Sequence, residues 1–337
     1  LLSRGLGDVY KRQRRHCLSW IAATAALCAA TPTWAQPDWP SKPIRFVLSQ
    51  PAGSGPDAVA RLIGNELGPR LGQPIIVDNK PGGQNAIGAQ AAARAPADGY
   101  TFYFTTAAAL VTNPFLFKSL PYDPRKDFTS VGMVGVVPFA VSVHPGSPFH
   151  TLADLVAYAK ANPGKLAVAN EGPRTFGGLV TLFLAKQTGI EVNAIPYTSV
   201  GAGISDAVGG QLGVLVSDVP AVMPMVKAGR LRVLAVTSAE RVAGLEAIPT
   251  VKEATVPDFD FSGWMGLVAP SGTPAAIVAR VNRELDAVLS QPELAAKIRT
   301  IGPIVNGAGS PGDMDGMLAR ERQHWAKLTR DAGIQPE

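Results

Sequence analysis

Pro51–Arg61, PAGSGPDAVAR, and its echo Asn79–Gly88, NKPGGQNAIG, decide how the chain reads. The run before the first, Ile44-Arg45-Phe46-Val47-Leu48-Ser49, has the β-branched and aromatic content of a strand. After the Pro-Gly-Ser loop, Val59, Leu62, Ile63 and Leu67 recur at helical spacing. Asp57, just before that face, is expected to cap the helix. A strand–loop–helix unit aims several backbone N–H groups and the positive end of a helix dipole at one spot, which favours an anion. Gly53 and Gly55 let that backbone come close to a ligand. The echo repeats the device, with a strand at Ile75–Val77, a Pro81-Gly82-Gly83 turn and an Ala-rich helix from about Ala86. Ordinary βα turns have the same ingredients, so the weight falls on how many such loops follow.

They follow almost throughout. Thr101–Thr105, TFYFT, reads as a strand ending in the small-residue loop Thr106–Ala109. Val131–Val143 reads as one or two buried strands broken at Pro138. Thr151 and Asp154 form a capping box for a helix carrying Leu152, Leu155, Val156 and Ala159. Leu166–Ala169 leads into Asn170–Thr175, NEGPRT, and a helix with Leu179, Leu182 and Phe183. Val192–Ile195 leads into Pro196–Gly203, Val214–Val216 ends at Ser217-Asp218, and Leu231–Thr237 and Met265–Ala269 are further strands. From Pro274 the chain is expected to stay helical, with Ile277, Val281, Leu285 and Val288 on one face. Alternating strands and helices imply an α/β fold with largely parallel sheets and helices on both faces. Ligands in such sheets bind at the carboxyl ends of the strands. The segments near Phe139–His144 and Phe261–Gly266 read as crossings between two lobes.

Composition narrows the function classes. The chain has 337 residues, 46% hydrophobic and 17% charged, which fits a globular protein with a large core and room for two domains. Residues 1–35 are read apart. Asp8–Gln13, DVYKRQ, is what GAT GTG TAT AAG AGA CAG encodes, a likeness to a transposon-end sequencing adapter, so 1–13 are taken as a gene-model artefact. Residues 14–35 read as a signal peptide: basic Arg14 and Arg15, an apolar Cys17–Ala30 stretch too short to span a bilayer, and a Thr33-Trp34-Ala35 cleavage site before Gln36. Without residues 1–35, which hold five basic side chains and one acid, the totals of 31 and 26 become 26 and 25, a net charge of +1. The body has no basic stripe for nucleic acid. Both cysteines, Cys17 and Cys28, fall in the leader, so the mature chain has neither disulfide nor thiolate site. The expected destination is the periplasm.

The motifs taken together resemble the tripartite tricarboxylate transporter substrate-binding receptors, often called Bug receptors. The likeness rests on Trp39-Pro40, Pro51–Asp57 with Arg61, Val77–Gly82, Asp98–Thr101, Leu120–Pro124 and Asp127-Phe128. It continues through Pro196-Tyr197, Gly209–Gln211, Gly229–Arg232, Leu234–Ser238, Arg241, Pro249-Thr250, Glu253, Trp264, Ala269-Pro270 and Gly272–Pro274. It implies a two-lobed periplasmic-binding-protein (Venus-flytrap) fold, with lobe 1 from 36–138 and 263–337 and lobe 2 inserted as 139–262. It implies a small carboxylate ligand, namely a di- or tricarboxylate, an acidic amino acid or an aromatic acid. One carboxylate would be held at Ser54, Gly55, Asp57, Asn85, Thr105 and Ala107. Lobe 2 would contribute Arg174, Thr175, Tyr197 and Asp218.

The lobe-2 loop departs from the family pattern Gly-x-Gly-Ser/Thr-x-x-His-Leu, with Arg174 at the second glycine and Gly178 at the histidine. Thr198-Ser199 also replace the usual basic or glycine residue after Pro196-Tyr197. Arg174 is either a bidentate partner for a second carboxylate or a solvent-facing arginine. Phe176 could stack on a planar ligand or pack back on the lobe. Asp57 could meet a ligand amine if the substrate is an amino acid, and Asp218 could serve the cleft or a turn. An exported enzyme has little support: His144, His150 and His324 lack metal-ligand spacing and there is no Gly-x-Ser-x-Gly elbow. No metal and no cofactor is expected. The protein is expected to be a monomer working with membrane permease subunits, or else with a sensor kinase, as ligand-driven closure serves both.

Overall fold

In the computed structural model, which describes residues 39–337 apart from Thr198 and Asp258, the run Ile44–Leu48 forms β1 and Gly55–Leu71 forms α1. The leader lies outside the described residues. α1 buries Val59, Ala60, Ile63 and Leu67 and ends at Gly72, whose φ of 83° supplies the left-handed cap. β2 (Ile75–Asn79) leads through a single turn at Gly83–Asn85 to α2 (Ala86–Ala93). Gly88 lets α2 lie against β1, because a Cβ there would collide with Ser49 Oγ. β3 (Thr101–Thr106) is buried over its first five residues, as an apolar strand covered on both faces must be.

Three expectations change here. The small-residue stretch after β3 is helical: a π segment at Ala108–Thr112 runs straight into α3 (Asn113–Leu116). β4 (Phe128–Val143) is one unbroken strand, and Pro138 sits within it. Pro138 stands opposite Ser262 at the last β4–β9 pair, where β4 changes partners, and such an end of a ladder tolerates proline. The C-terminal region divides into α9 (Ala275–Leu289), α10 (Pro292–Ile301) and α11 (Pro311–Ala332), with a break at Ser290 and Gln291 and a longer one at Gly302–Ser310.

Between them lie α4 (Leu152–Ala161), β5 (Leu166–Asn170), α5 (Phe176–Thr188), β6 (Val192–Pro196), α6 (Val200–Val208), β7 (Val214–Asp218), α7 (Val219–Lys227), β8 (Arg232–Val236), α8 (Val251–Ala254) and β9 (Ser262–Pro270). The Thr151–Asp154 capping box at α4 forms as the sequence requires.

The strands follow the order β2-β1-β3-β9-β4-β7-β5-β6, with β8 also on β4. Pairing is parallel on the flanks, in β1 with β2 and β3 and in β5 with β6 and β7. It is antiparallel wherever β4 or β9 takes part. β4 joins the two halves: Phe128–Pro138 pair with β9, and Phe139–Val143 pair with β7 and β8. The α/β alternation thus holds, with a mixed centre between parallel flanks.

α11 ties the halves together from one side. Trp325, 2% exposed, meets the rings of Phe176 and Phe183 from α5 and of Phe261 before β9, with centroids 5.8, 5.8 and 6.2 Å away. Burying such rings dominates the local energetics, and edge-to-face pairs add about 0.5–1.5 kcal/mol each.

Candidate functional site

β1, β2 and β3 run parallel, so the loops that follow them share one rim. Ser54 caps α1: its hydroxyl accepts from the Asp57 N–H and donates to the Pro51 carbonyl at 2.7 Å. Asp57 is therefore not the cap but the third residue of the helix. Pro56 suits the first turn and starts the helix earlier than the apolar pattern suggested. The Asp57 carboxylate turns back to accept from the Gly53 N–H at 2.9 Å, Arg61 Nε at 3.0 Å and Asn79 Nδ2 at 2.9 Å. The residue is 3% exposed. Burial pushes its pKa up, but the bonds from Arg61, Gly53 and Asn79 prevail and hold it below the usual carboxylate value.

Sequence reasoning missed three residues that wire these loops together. Asn79 Nδ2 also donates to the Gln50 carbonyl at 3.1 Å. Gln50 Nε2 donates to Asn85 Oδ1 at 3.0 Å and Thr106 Oγ1 at 3.4 Å. Ser49 Oγ donates to the Asn85 carbonyl at 3.0 Å and lies 2.6 Å from Tyr103 Oη. Their one signal was position, at the ends of the predicted strands.

Gly82, Gly83, Gln84 and Asn85 all have positive φ, of 114°, 57°, 50° and 75°. For the two non-glycines such backbone costs roughly 1–2 kcal/mol each. The bonds from Ser49 and Gln50 hold it, with Asn113 Nδ2 donating to the Gln84 carbonyl at 2.7 Å. Asn85 therefore stands at a fixed, strained turn. Thr105 and Ala107 are 0% and 3% exposed, and the Thr105 hydroxyl donates to the Thr106 carbonyl, so Thr105 offers the rim backbone rather than side chain.

A second rim forms at the ends of β5, β6 and β7. Each following helix is capped by a side chain there: Thr175 accepts from the Gly178 N–H, Ser199 from Ala202 and Asp218 from Ala221. Thr175 Oγ1 also donates to the Gly172 carbonyl at 2.7 Å. The departure at Gly178 has a steric reason, since any Cβ there would collide with that same carbonyl group. The Tyr197 hydroxyl donates to Asp206 at 2.7 Å. Arg174 pairs with Glu337 and lies 5.7 Å from the centre of the Phe117 ring. Phe176 packs against Phe139 and Trp325.

The two rims meet. A Cβ on Gly55, at the first turn of α1, would stand 4.0 Å from Pro220 in the first turn of α7. Sequence reasoning also passed over Glu171. Burial, with the Asp218 charge adding to it, pushes its carboxyl up to about 7. Burial likewise raises Asp218.

A separate cavity of about 340 Å³ lies beside Trp264, Trp325, Asp260, Glu321 and His324, and none of the ten expected contact residues lines it. Among the described residues no group of three or more His, Cys, Asp or Glu could hold a metal ion. Nor is any described helix long and apolar enough to cross a membrane.

A family model for the tripartite tricarboxylate transporter family receptor matches residues 59–333. Protein BugT of Bordetella pertussis is 33% identical over 298 residues, covering 88% of this chain and 90% of that protein. The solved structure of R. palustris Rpa4515 with adipate superposes with a TM-score of 0.82 and 35% identity, covering 89% of this chain and all of that one. MatC (Rpa3494) from Rhodopseudomonas palustris with bound malate gives a TM-score of 0.76 and 26% identity, covering 86% of this chain and 99% of that one. The chain belongs to the tripartite tricarboxylate transporter receptor family, whose members are solute-binding receptors rather than enzymes.

Proposed function

We propose that the protein captures a small carboxylate between its two rims, in the periplasm, and delivers it to the membrane permease subunits of a tripartite tricarboxylate-type transporter. One observation carries the reading. Three strand-end loops, locked to one another through Asp57, Asn79, Gln50 and Asn85, present the first turn of α1 to the capped helices of the second rim. The free N–H groups of a first helical turn suit a carboxylate. Ser54, Gly55 and Asn85 border it directly, with Thr105 and Ala107 contributing backbone and Asp57 fixing the loop. Thr175, Tyr197 and Asp218 border it from the other side. The adipate and malate in the two solved relatives support this ligand class. The lobes divide at 138/139 and 262/263, which the partner change along β4 supports.

Ligand contact to both lobes shifts the population toward the closed form. The test is a thermal-shift screen of refolded, ligand-stripped protein from Gln36 against carboxylic acids, acidic amino acids and aromatic acids. A ligand at a hundredfold excess over Kd adds about 2.7 kcal/mol to stability. A clear upward shift for one small acid supports the reading; a flat response from folded protein overturns it.

A further inference from the structure

We propose that the second rim is a cation subsite, in which Glu171 and Asp218 hold an ammonium group on the ligand whose carboxylate sits at Ser54 and Gly55. The preferred ligand is then an amino-carboxylate rather than a dicarboxylate. This rests on the carboxylate-receptor reading and names its substrate class.

The first argument is register. β5 and β7 pair in parallel with Ala169 opposite Leu215. Two residues further on, Glu171 comes level with Ser217 and next to Asp218, so both carboxylates leave the ends of neighbouring strands. Asp218 caps α7, whose Pro220 is the residue that faces Gly55. The acids therefore stand across the cleft from the anion loop.

The second argument is charge. Arg174 is the one basic residue in the described segments 170–175, 196–199 and 217–220, and it is engaged by Glu337 and Phe117. On the first rim, Arg61 is engaged by Asp57 and Asn79, and Lys80 by Asp78. A dicarboxylate reaching from Gly55 would bring its second charge to two acids. An ammonium would bring the opposite charge, and nearby opposite charge is what stabilises a buried carboxylate.

The third argument is unmet hydrogen bonding. Glu171 forms no salt bridge among the described residues, and Thr175 Oγ1, 3.4 Å from its carboxylate, gives its one proton to the nearer Gly172 carbonyl. An ionised carboxylate has about four acceptor sites. Ser217, 1% exposed, has an Oγ with no hydrogen-bond partner, and on the first rim Gln50 Oε1 has none either. Glu171 and Ser217 line one small cavity of about 10 Å³. The Glu171 carboxylate and the Gln50 Oε1 acceptor suit a ligand that donates, and the Ser217 hydroxyl is able to accept from it.

The experiment compares isosteres. Calorimetric affinities are measured at pH 8 for 4-aminobutyrate, 5-aminopentanoate and 6-aminohexanoate, for succinate, glutarate and adipate, and for butyrate, pentanoate and hexanoate. At one chain length or more, the amino acid is expected to bind at least tenfold tighter than its matched dicarboxylate. In Glu171→Gln, and separately in Asp218→Asn, which keeps a capping side chain, the ratio of amino acid to monocarboxylate affinity should fall about tenfold. Circular dichroism confirms that each variant is folded. Dicarboxylates binding as tightly as or tighter than the amino acids, or a ratio unmoved by both substitutions, would overturn the cation subsite and leave the receptor reading intact. Monocarboxylates and all other acids failing to bind would overturn the receptor reading, and this inference with it.

Discussion

Asp57→Ala tests whether the anion loop is built by its own hydrogen bonds. Asp57 accepts three bonds at 2.9–3.0 Å, from Gly53, Arg61 and Asn79, with its side chain almost fully buried. A hydrogen bond to a charged group contributes about 1.5–3 kcal/mol. The losses are not additive, because Asn79 keeps the Gln50 carbonyl and the half-exposed Arg61 can return to water. A net loss of about 3 kcal/mol is expected. Urea denaturation reads it as a lower midpoint at constant m. Asp57→Asn keeps the shape and loses the charge, so it should cost less. The pH sign is fixed by the lowered carboxyl. Its contribution is fully present above the ordinary aspartate range and is lost as pH falls through the lower folded value. The gap between wild type and Asp57→Asn should therefore close below about pH 4. A cost for Asp57→Ala below about 1 kcal/mol, or a gap independent of pH, would refute the view that this carboxylate shapes the loop.

Other consequences are open to measurement. Glu171 is raised to about 7, so its ionisation penalises the folded state. Stability should fall as pH rises from about 4.5 through 7 and flatten in Glu171→Gln, with a difference on the order of 3 kcal/mol at pH 8 in chemical denaturation; parallel profiles would count against a buried Glu171. Trp325→Ala removes the ring that joins α5 to α11 and should cost about 3–5 kcal/mol by the same assay. Gly178→Ala should cost roughly 1–3 kcal/mol and weaken ligand binding, since the Gly172 carbonyl has to move. Arg174→Ala should change carboxylate affinity by less than about twofold in calorimetry, because Glu337 holds the guanidinium; a tenfold loss would show that Arg174 reaches the ligand.

Much of the fold was legible because the signals are local. Ile44–Leu48, Gly55–Leu71 and the Thr151–Asp154 box each specify themselves through burial pattern, turn residues and a cap. The Pro51–Asp57 loop proposed to hold the anion was legible as a loop and helix start for the same reason, since its glycines and the start of the helix are written in consecutive residues. What stayed hidden depends on partners far along the chain. Pro138 reads as a break until β4 is seen to pass there from its pairing with β9 to its pairings with β7 and β8. Gln50 and Asn79 look like ordinary loop amides, but their roles come from each other and from Asn85, 29 and 35 positions from Gln50. Arg174 reads as a free cation in the segment NEGPRT, yet its partner is Glu337. Glu171 stands three residues before it and drew no notice, because burial, not identity, makes a glutamate unusual. Gly178 was seen only as a missing histidine, when the carbonyl of Gly172 fills its place.

β4 passes from one half of the sheet to the other without leaving the extended conformation, so the bending that closure would need falls there on a strand rather than on a slack connection. Its crease is already drawn. Pro138 has no N–H to lose, and one residue later Thr237 Oγ1 accepts from the Phe139 N–H at 3.0 Å while donating to the Phe261 carbonyl at 2.5 Å. That hydroxyl rivets three chain segments at one point. The closure proposed above would then work as a scored card and not as two plates on a string: the fold line is narrow, and the angle would change while the line stays put. Each closure should return the two rims to the same alignment, so that a few side chains suffice to judge what lies between them.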